Sequence, residues 1–321
     1  MDRNVIYSAL KTPLIETSLE SLGEKYRGKV RDCYTTDQQE RVIVVTDRIS
    51  AFDRILGTLP LKGQILNHVA RWWFDQTQHL VPNHVISTPD PNVMIAKECT
   101  PLPVEMVMRS YLTGTTSTSI WIHYKNGARQ YCGHSLPDGL QQHQKLPQAL
   151  LTPSTKAAQG DHDVSAGRDE ILALTQMPAA DFDRAAELAK VLFDEGTRIC
   201  AERGLILVDT KYEFGKTPEG EIVVIDEIHT PDSSRFWFAE SYEERMSKGE
   251  APESFDKEYV RRFLAAEGFM GDGPIPEIPD DVRVEATSRY ITAVEKITGE
   301  AFTANLEDPA TRIPKNLNLA P

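Results

Sequence analysis

Cysteine is scarce. Cys33, Cys99, Cys132 and Cys200 are four in 321 residues, far apart, with no CxxC pair among them. Neither a zinc site nor a disulfide framework is indicated, and the thiols suit a reducing cytoplasm. Cations are outnumbered, 35 Lys and Arg against 48 Asp and Glu, for a formal net charge of -13. Non-specific binding to a nucleic-acid backbone or an anionic membrane needs a long-range attraction that this balance does not supply. A small anionic ligand in a locally basic pocket stays compatible with it. Long hydrophobic runs are also missing: Val42-Ile43-Val44-Val45 falls far below the roughly 18 apolar residues of a spanning helix, and the start, MDRNVIYSALKTPLIE, has no apolar export core. The expectation is a cytoplasmic protein with no membrane or nucleic-acid partner. Neither GxxxxGKS/T nor GxGxxG occurs, so neither a Walker loop nor a Rossmann fold is supported.

What is present is ordinary globular composition, 40% hydrophobic and 26% charged, in a chain long enough for one large or two medium domains. The first hundred residues read as sheet-rich: a strand over 26–34, a turn over 35–40, and the β-branched strand 41–46, followed by a helix at 66–77. An apolar segment over 92–99, a break spaced by Pro101 and Pro103, and a strand over 104–108 come next. Residues 125–165 read as loops and short strands. Over 181–203, Phe182, Ala185, Leu188, Ala189, Leu192 and Ile199 recur at three- and four-residue spacing before Gly204, which predicts a helix. A hairpin of 205–214 and 222–228 follows, and helices at 255–267 and 281–298 flank a Gly/Pro linker.

The hairpin carries the most chemistry. Alternation along Leu205–Phe214 puts Asp209, Lys211 and Glu213 on one strand face, and an antiparallel return brings Asp226 near Lys211 and Glu213. Two carboxylates beside a lysine suit a Mg²⁺ held against a nucleotide triphosphate, because Mg²⁺ takes oxygen ligands and only one or two from protein. Cross-strand ion pairs on a solvated face are the commoner fate of such charges, but the apolar runs 205–208 and 222–225 argue for buried strands. Gly28-Lys29-Val30-Arg31 offers two cations on one strand face to phosphates, and Arg109, before the hydroxyl-rich Gly turn Thr113-Gly114-Thr115-Thr116, offers a mould for a phosphate monoester. Asp226-Glu227-Ile228-His229 leads into a polar loop with Arg235; a lone histidine such as His229 is more often structural than a general base.

Taken together, YRGKVRD (26–32), TDRISAFD (46–53), LPLKGQILN (59–67), LPVEMVMRSYLTGT (102–115), TPSTKAAQGDHD (152–163), LVDTKYEFG (207–215), DEIHTPDSSRFW (226–237) and FDKEYVR (255–261) resemble, in order and over nearly the whole chain, the SAICAR synthetases in their long, single-function form. One departure is Thr115, where the family turn commonly ends in Ser; the hydroxyl is kept.

The resemblance implies an α+β fold in two lobes, an N-terminal antiparallel β lobe (1–100) and a larger α/β lobe (101–321) carrying the substrate site and a helical tail, with ATP in the cleft. It implies ATP-dependent joining of L-aspartate to the carboxylate of an aminoimidazole ribonucleotide in purine biosynthesis, with ATP and Mg²⁺ required, by a monomer or homodimer. Matched residue by residue, Gly28, Lys29 and Arg31 resemble the phosphate strand, Met94 to Lys97 the adenine-reading segment, Glu213 and Asp226 the Mg²⁺ carboxylates, and Lys211 the lysine beside them. Arg109, Thr115, Ser234 and Arg235 match groups around the ribonucleotide phosphate. Ser50, Asp53, Lys156, Asp163 and Asp209 are similar to polar residues of the substrate cleft. The competing expectations are a small-molecule kinase with a like cleft and an inactive nucleotide-binding module.

Overall fold

The computed structural model describes residues 1–51, 54–115, 119–156, 164–254 and 258–319. The chain opens with helix α1 (Arg3–Ala9) and then builds β1 (Glu24–Arg27), β2 (Arg31–Thr35) and β3 (Glu40–Val45). A ribbon of β4 (Arg48–Ala51) and β5 (Arg54–Thr58) leads into α2 (Lys62–Thr77), and β6 (Val85–Asp90) and β7 (Val93–Lys97) return to the first sheet. That sheet is antiparallel in the order β1-β2-β3-β7-β6.

The second half begins with β8 (Thr100–Tyr111) and α3 (Ile120–Lys125), then β9 (Gln130–Tyr131), β10 (His134–Ser135), β11 (Lys145–Leu151) and β12 (Ser154–Thr155). Helices α4 (Arg168–Thr175) and α5 (Ala179–Glu202) precede β13 (Leu205–Lys216), β14 (Ile222–Ile225) and β15 (Ser234–Phe238). The tail is helical: α6 (Ala239–Ser247), α7 (Glu258–Ala266), α8 (Asp280–Thr298) and α9 (Pro309–Asn316). The second sheet runs β11-β8-β13-β14, with β12 on β8 and β15 on β13, again antiparallel. The architecture is α+β.

Sequence pattern accounts for the central elements. The spaced apolar residues of α5 are all buried and pack against β13, and the helix ends before Gly204, whose φ is +69°, a left-handed conformation that glycine adopts without penalty. Strand β14 is buried at all four positions, as expected of a strand covered on both faces. Helix α8 buries Val284, Ala286, Tyr290, Ile291, Val294 and Ile297, packing on α2. One apolar core runs from Ile6 through both sheets to Phe302.

Several boundaries differ from expectation. The strand expected over 26–34 is two strands: Gly28 N donates to Arg31 O (2.8 Å) and closes a turn between β1 and β2. The break expected at Pro101 and Pro103 is part of β8, because the register against β13 slips between Glu213 and Gly215, opposite 101–105, and a slipped register spares a proline its missing N–H. Helix α2 starts four residues earlier than expected, and β14 ends at Ile225 rather than 228. Helices α1, α4, α6 and α9 and strand β6 had no assigned signal.

Candidate functional site

The charged face of β13 organises the site. Lys211 Nζ is 2.6 Å from Glu105 Oε1 and 3.3 Å from Glu213 Oε1, and Lys156 Nζ is 2.5 Å from Glu213 Oε2. Glu105 stands opposite Glu213 in the β8–β13 register. Burial opposes the Lys211 charge, but Glu105 and Glu213 outweigh it and raise its pKa. For Glu213, burial is likewise outweighed by Lys211 and Lys156, and its pKa falls.

Beyond Ile225 the chain turns left-handed at Asp226, φ +69°. This conformation is uncommon for a residue with a Cβ, though aspartate tolerates it better than most. The turn delivers the carboxylate to Arg31, whose Nη1 is 2.6 Å from Asp226 Oδ1 and whose Nη2 is 2.8 Å from Glu227 Oε2. Burial raises the Asp226 pKa; Arg31 lowers it less than burial, Glu213 and Glu227 together raise it. The rise comes chiefly from burial, with the neighbouring acids adding to it.

Arg31, Lys156, Lys211, Glu213, Asp226 and Glu227 line a cavity of about 670 Å³ together with Gly28, Lys29, Ser50, Lys97 and Asp232. Its remaining wall includes Cys33, Ile43, Ala51, Cys99, Pro101 and Ile225, less polar than the β13 end. A second cavity of about 640 Å³ is lined by Thr115, His143, Arg235, Arg245, Arg262 and Arg289, with Glu250 and Glu253 on the same wall. Between the two, Asp209 stands in register with Arg109 of β8 on one side and Arg235 of β15 on the other. Its Oδ2 lies 3.4 Å from Arg109 Nη1 and 3.3 Å from Arg235 Nη2. Ser234 Oγ is 2.7 Å from Thr210 Oγ1.

The expected residues thus separate by place. Gly28, Lys29, Arg31, Ser50, Lys97, Lys156, Lys211, Glu213 and Asp226 meet at the first cavity, and Thr115 and Arg235 at the second. Arg109, Asp209 and Ser234 sit in the sheet between them. Met94 does not reach the first cavity: it is buried and lines a narrow gap behind Arg31 and Asp226. Asp53 and Asp163 lie outside the described residues. Lys29 occupies the turn before β2 rather than a strand face shared with Arg31. His229 is fully buried, its Nε2 2.5 Å from Tyr212 Oη and its ring edge-to-face with Trp73, a structural placement.

Glu105, Glu227, Asp232, Arg262 and Arg289 were not singled out from the sequence. Glu105 had a signal, since alternation places it on the same β8 face as Arg109. Arg262 and Arg289 come from tail helices and carry no local pattern.

The family model described as SAICAR synthetase matches residues 24–273. Over 290 residues, 90% of this chain and 92% of the relative, the chain is 49% identical to the phosphoribosylaminoimidazole-succinocarboxamide synthase of Legionella pneumophila (strain Paris). It is 48% identical over 299 residues to the chloroplastic enzyme of that name from Arabidopsis thaliana, covering 92% of this chain and 72% of that one. Among solved structures, the SAICAR-synthase from Saccharomyces cerevisiae complexed with SAICAR is similar with a TM-score of 0.77 at 30% identity, over 91% of this chain and 100% of that one.

Proposed function

Since this chain belongs to the SAICAR synthetase family, whose ATP-dependent ligation of L-aspartate to 5-amino-1-(5-phospho-D-ribosyl)imidazole-4-carboxylate gives SAICAR, ADP and phosphate, we propose how its two cavities divide that reaction. The first cavity takes ATP, its base against the less polar wall and its phosphates toward Gly28, Lys29 and Arg31. The second takes the ribonucleotide phosphate, held by Arg235 with the hydroxyl of Thr115. The observation that carries this reading is the single line of charge on β13. Glu213 and Lys211 face the first cavity and Asp209 orients the arginines beside the second, over a span of about 13 Å at strand spacing, which an imidazole ribonucleotide can bridge.

Glu213 and Asp226 fit a Mg²⁺ in chemistry, as oxygen donors placed where a triphosphate supplies the remaining ligands. A cation beside the two carboxylates would favour the ionised form of both. When bound, the ion neutralises phosphate charge during transfer.

A carboxylate is a poor electrophile. In the proposed route an oxygen of the imidazole carboxylate attacks the γ-phosphorus and ADP departs, leaving an acyl phosphate; the aspartate amine then attacks the acyl carbon and phosphate departs with that oxygen. The transfer requires positioning and charge neutralisation rather than a protein nucleophile. Lys211, fixed between Glu105 and Glu213, stays charged beside the reacting phosphate, and Lys29 and Arg31 hold the triphosphate. Lys156 and Ser50 add polar groups to the first cavity, and Asp209 stands between the two cavities as the partner of Arg109 and Arg235. We further place the reaction in the cytoplasm.

The test is ADP release by the purified chain. It should require the ribonucleotide and L-aspartate together; full-rate release with the ribonucleotide alone and no amide product would instead make the chain a kinase or ATPase.

A further inference from the structure

The family model stops at residue 273, and α8 lies beyond it, yet α8 reaches a side chain that lines the first cavity. Tyr290 is 1% exposed, and its hydroxyl donates to Asp232 Oδ1 at 2.8 Å. The other carboxylate oxygen, Oδ2, accepts from Lys62 Nζ at 2.6 Å, and the Lys62 side chain is 1% exposed. Asp232 lines the first cavity with Ser233. A partly buried carboxylate is thus held at both oxygens, from α2 on one side and from the tail helix on the other.

The same face of α8 also sets the lysine. Arg283, Thr287 and Tyr290 follow one another at four- and three-residue spacing, which aligns them along one helix face. Arg283 donates to the carbonyl and hydroxyl of Thr58, both at 2.8 Å, and Thr287 Oγ1 donates to Pro60 O at 3.1 Å. These contacts fix the segment that enters α2 at Lys62.

What Asp232 does is set by its neighbours in the chain. Its backbone N–H donates to Thr230 Oγ1 (3.2 Å), Ser234 N donates to Thr230 O (2.9 Å), and Ser233 O accepts from Lys211 N (3.2 Å). Thr230 and Lys211 thus hold the loop that starts β15, with Ser234 and Arg235, and the Asp232 side chain joins that loop to α2 and α8. A hydrogen bond to a charged group is among the stronger ones, and a buried carboxylate that loses a donor rearranges to replace it.

We propose that Tyr290 is a positioning residue for the ligation. Through Asp232 it sets the loop that presents Ser234 and Arg235 to the ribonucleotide, so the tail helix is part of the site and not only a cover on α2. This rests on the assignment of the second cavity to the ribonucleotide.

The experiment compares Tyr290→Phe, Asp232→Asn, the double variant and Arg235→Ala in the full chain by steady-state kinetics in all three substrates. Tyr290→Phe should raise KM for the ribonucleotide about tenfold, leaving KM for ATP within about twofold. The double variant should match Asp232→Asn alone, because the proposed effect of the hydroxyl passes through that carboxylate. If Asp232→Asn does not fold, the split between the two KM changes in Tyr290→Phe decides by itself. A Tyr290→Phe enzyme with unchanged ribonucleotide KM, or with all three KM values raised alike, overturns the proposal. If Arg235→Ala also leaves that KM unchanged, the assignment of the second cavity fails first; if Arg235→Ala raises it while Tyr290→Phe does not, only the role of Tyr290 fails.

Discussion

Arg31 forks onto Asp226 and Glu227, at 2.6 and 2.8 Å, and so ties the first strand past the β1–β2 turn to the exit of β14 in the other sheet. The two sheets meet at this guanidinium, with its side chain 15% exposed. A lysine keeps the charge but cannot reach both acids in one plane. Arg31→Lys should lower stability by about 1–3 kcal/mol, read from the urea midpoint, and raise KM for ATP. A variant with wild-type midpoint and KM would show the fork to be incidental.

Glu213→Gln and Asp226→Asn should each cut turnover on the order of a hundredfold and shift the Mg²⁺ concentration for half-maximal rate upward. Both substitutions keep shape and remove charge. Near-normal turnover at saturating Mg²⁺ would remove these carboxylates from the metal.

For Arg235→Ala the expected effect is on KM for the ribonucleotide, with kcat little changed, because a phosphate clamp contributes alike before and during the transfer. An unchanged KM and kcat would take Arg235 out of the site.

Gly196 lies on α5 where an added Cβ would come 2.3 Å from His229 Cε1. Alanine favours a helix over glycine by roughly 1 kcal/mol, but the clash is with a fully buried ring. Gly196→Ala should therefore destabilise by about 1–3 kcal/mol, and a rise in melting temperature would show that the His229 region yields easily.

Burial lowers the imidazoles of His84 and His229 from 6.5 to about 3. Between those values the unfolded chain binds protons that the folded chain does not, so stability is complete above pH 6.5 and falls as pH drops, by up to about 1.4 kcal/mol per unit for each histidine. Asp47, which burial pushes up to about 6, acts in the opposite sense below that pH. From about pH 7 to about pH 5.5 the urea midpoint of the wild type should fall more steeply than that of His84→Gln. Equal slopes would mean that His84 protonates in the fold without penalty.

How much was legible follows from range. Alternation along β13 correctly grouped Asp209, Lys211 and Glu213, and antiparallel return brought Asp226 to them, because both depend on local geometry. The apolar spacing of α5 was legible for the same reason. The division of 26–34 into β1 and β2 was not: Arg48 donates to the carbonyls of Gly28 (2.9 Å) and Lys29 (3.0 Å), and Thr46 Oγ1 to that of Val30 (2.7 Å). The turn is held by residues some twenty positions away in sequence, beyond any local pattern. Alternation puts Glu105 on the Arg109 face of β8, but its place opposite Glu213 needed the β8–β13 register, and Arg262, Arg289 and Tyr290 needed the packing of the tail. Along β7 the Met94 side chain turns into the core while Lys97, three residues on, faces the cavity, as alternation requires.

The central chemical claim is that the substrate carboxylate itself is phosphorylated in the cleft. With ¹⁸O in the carboxylate of the ribonucleotide, mass spectrometry of the released phosphate follows the oxygen that crosses from carbon to phosphorus. Label should appear in phosphate in step with amide product. Unlabelled phosphate accompanying full product formation would contradict it.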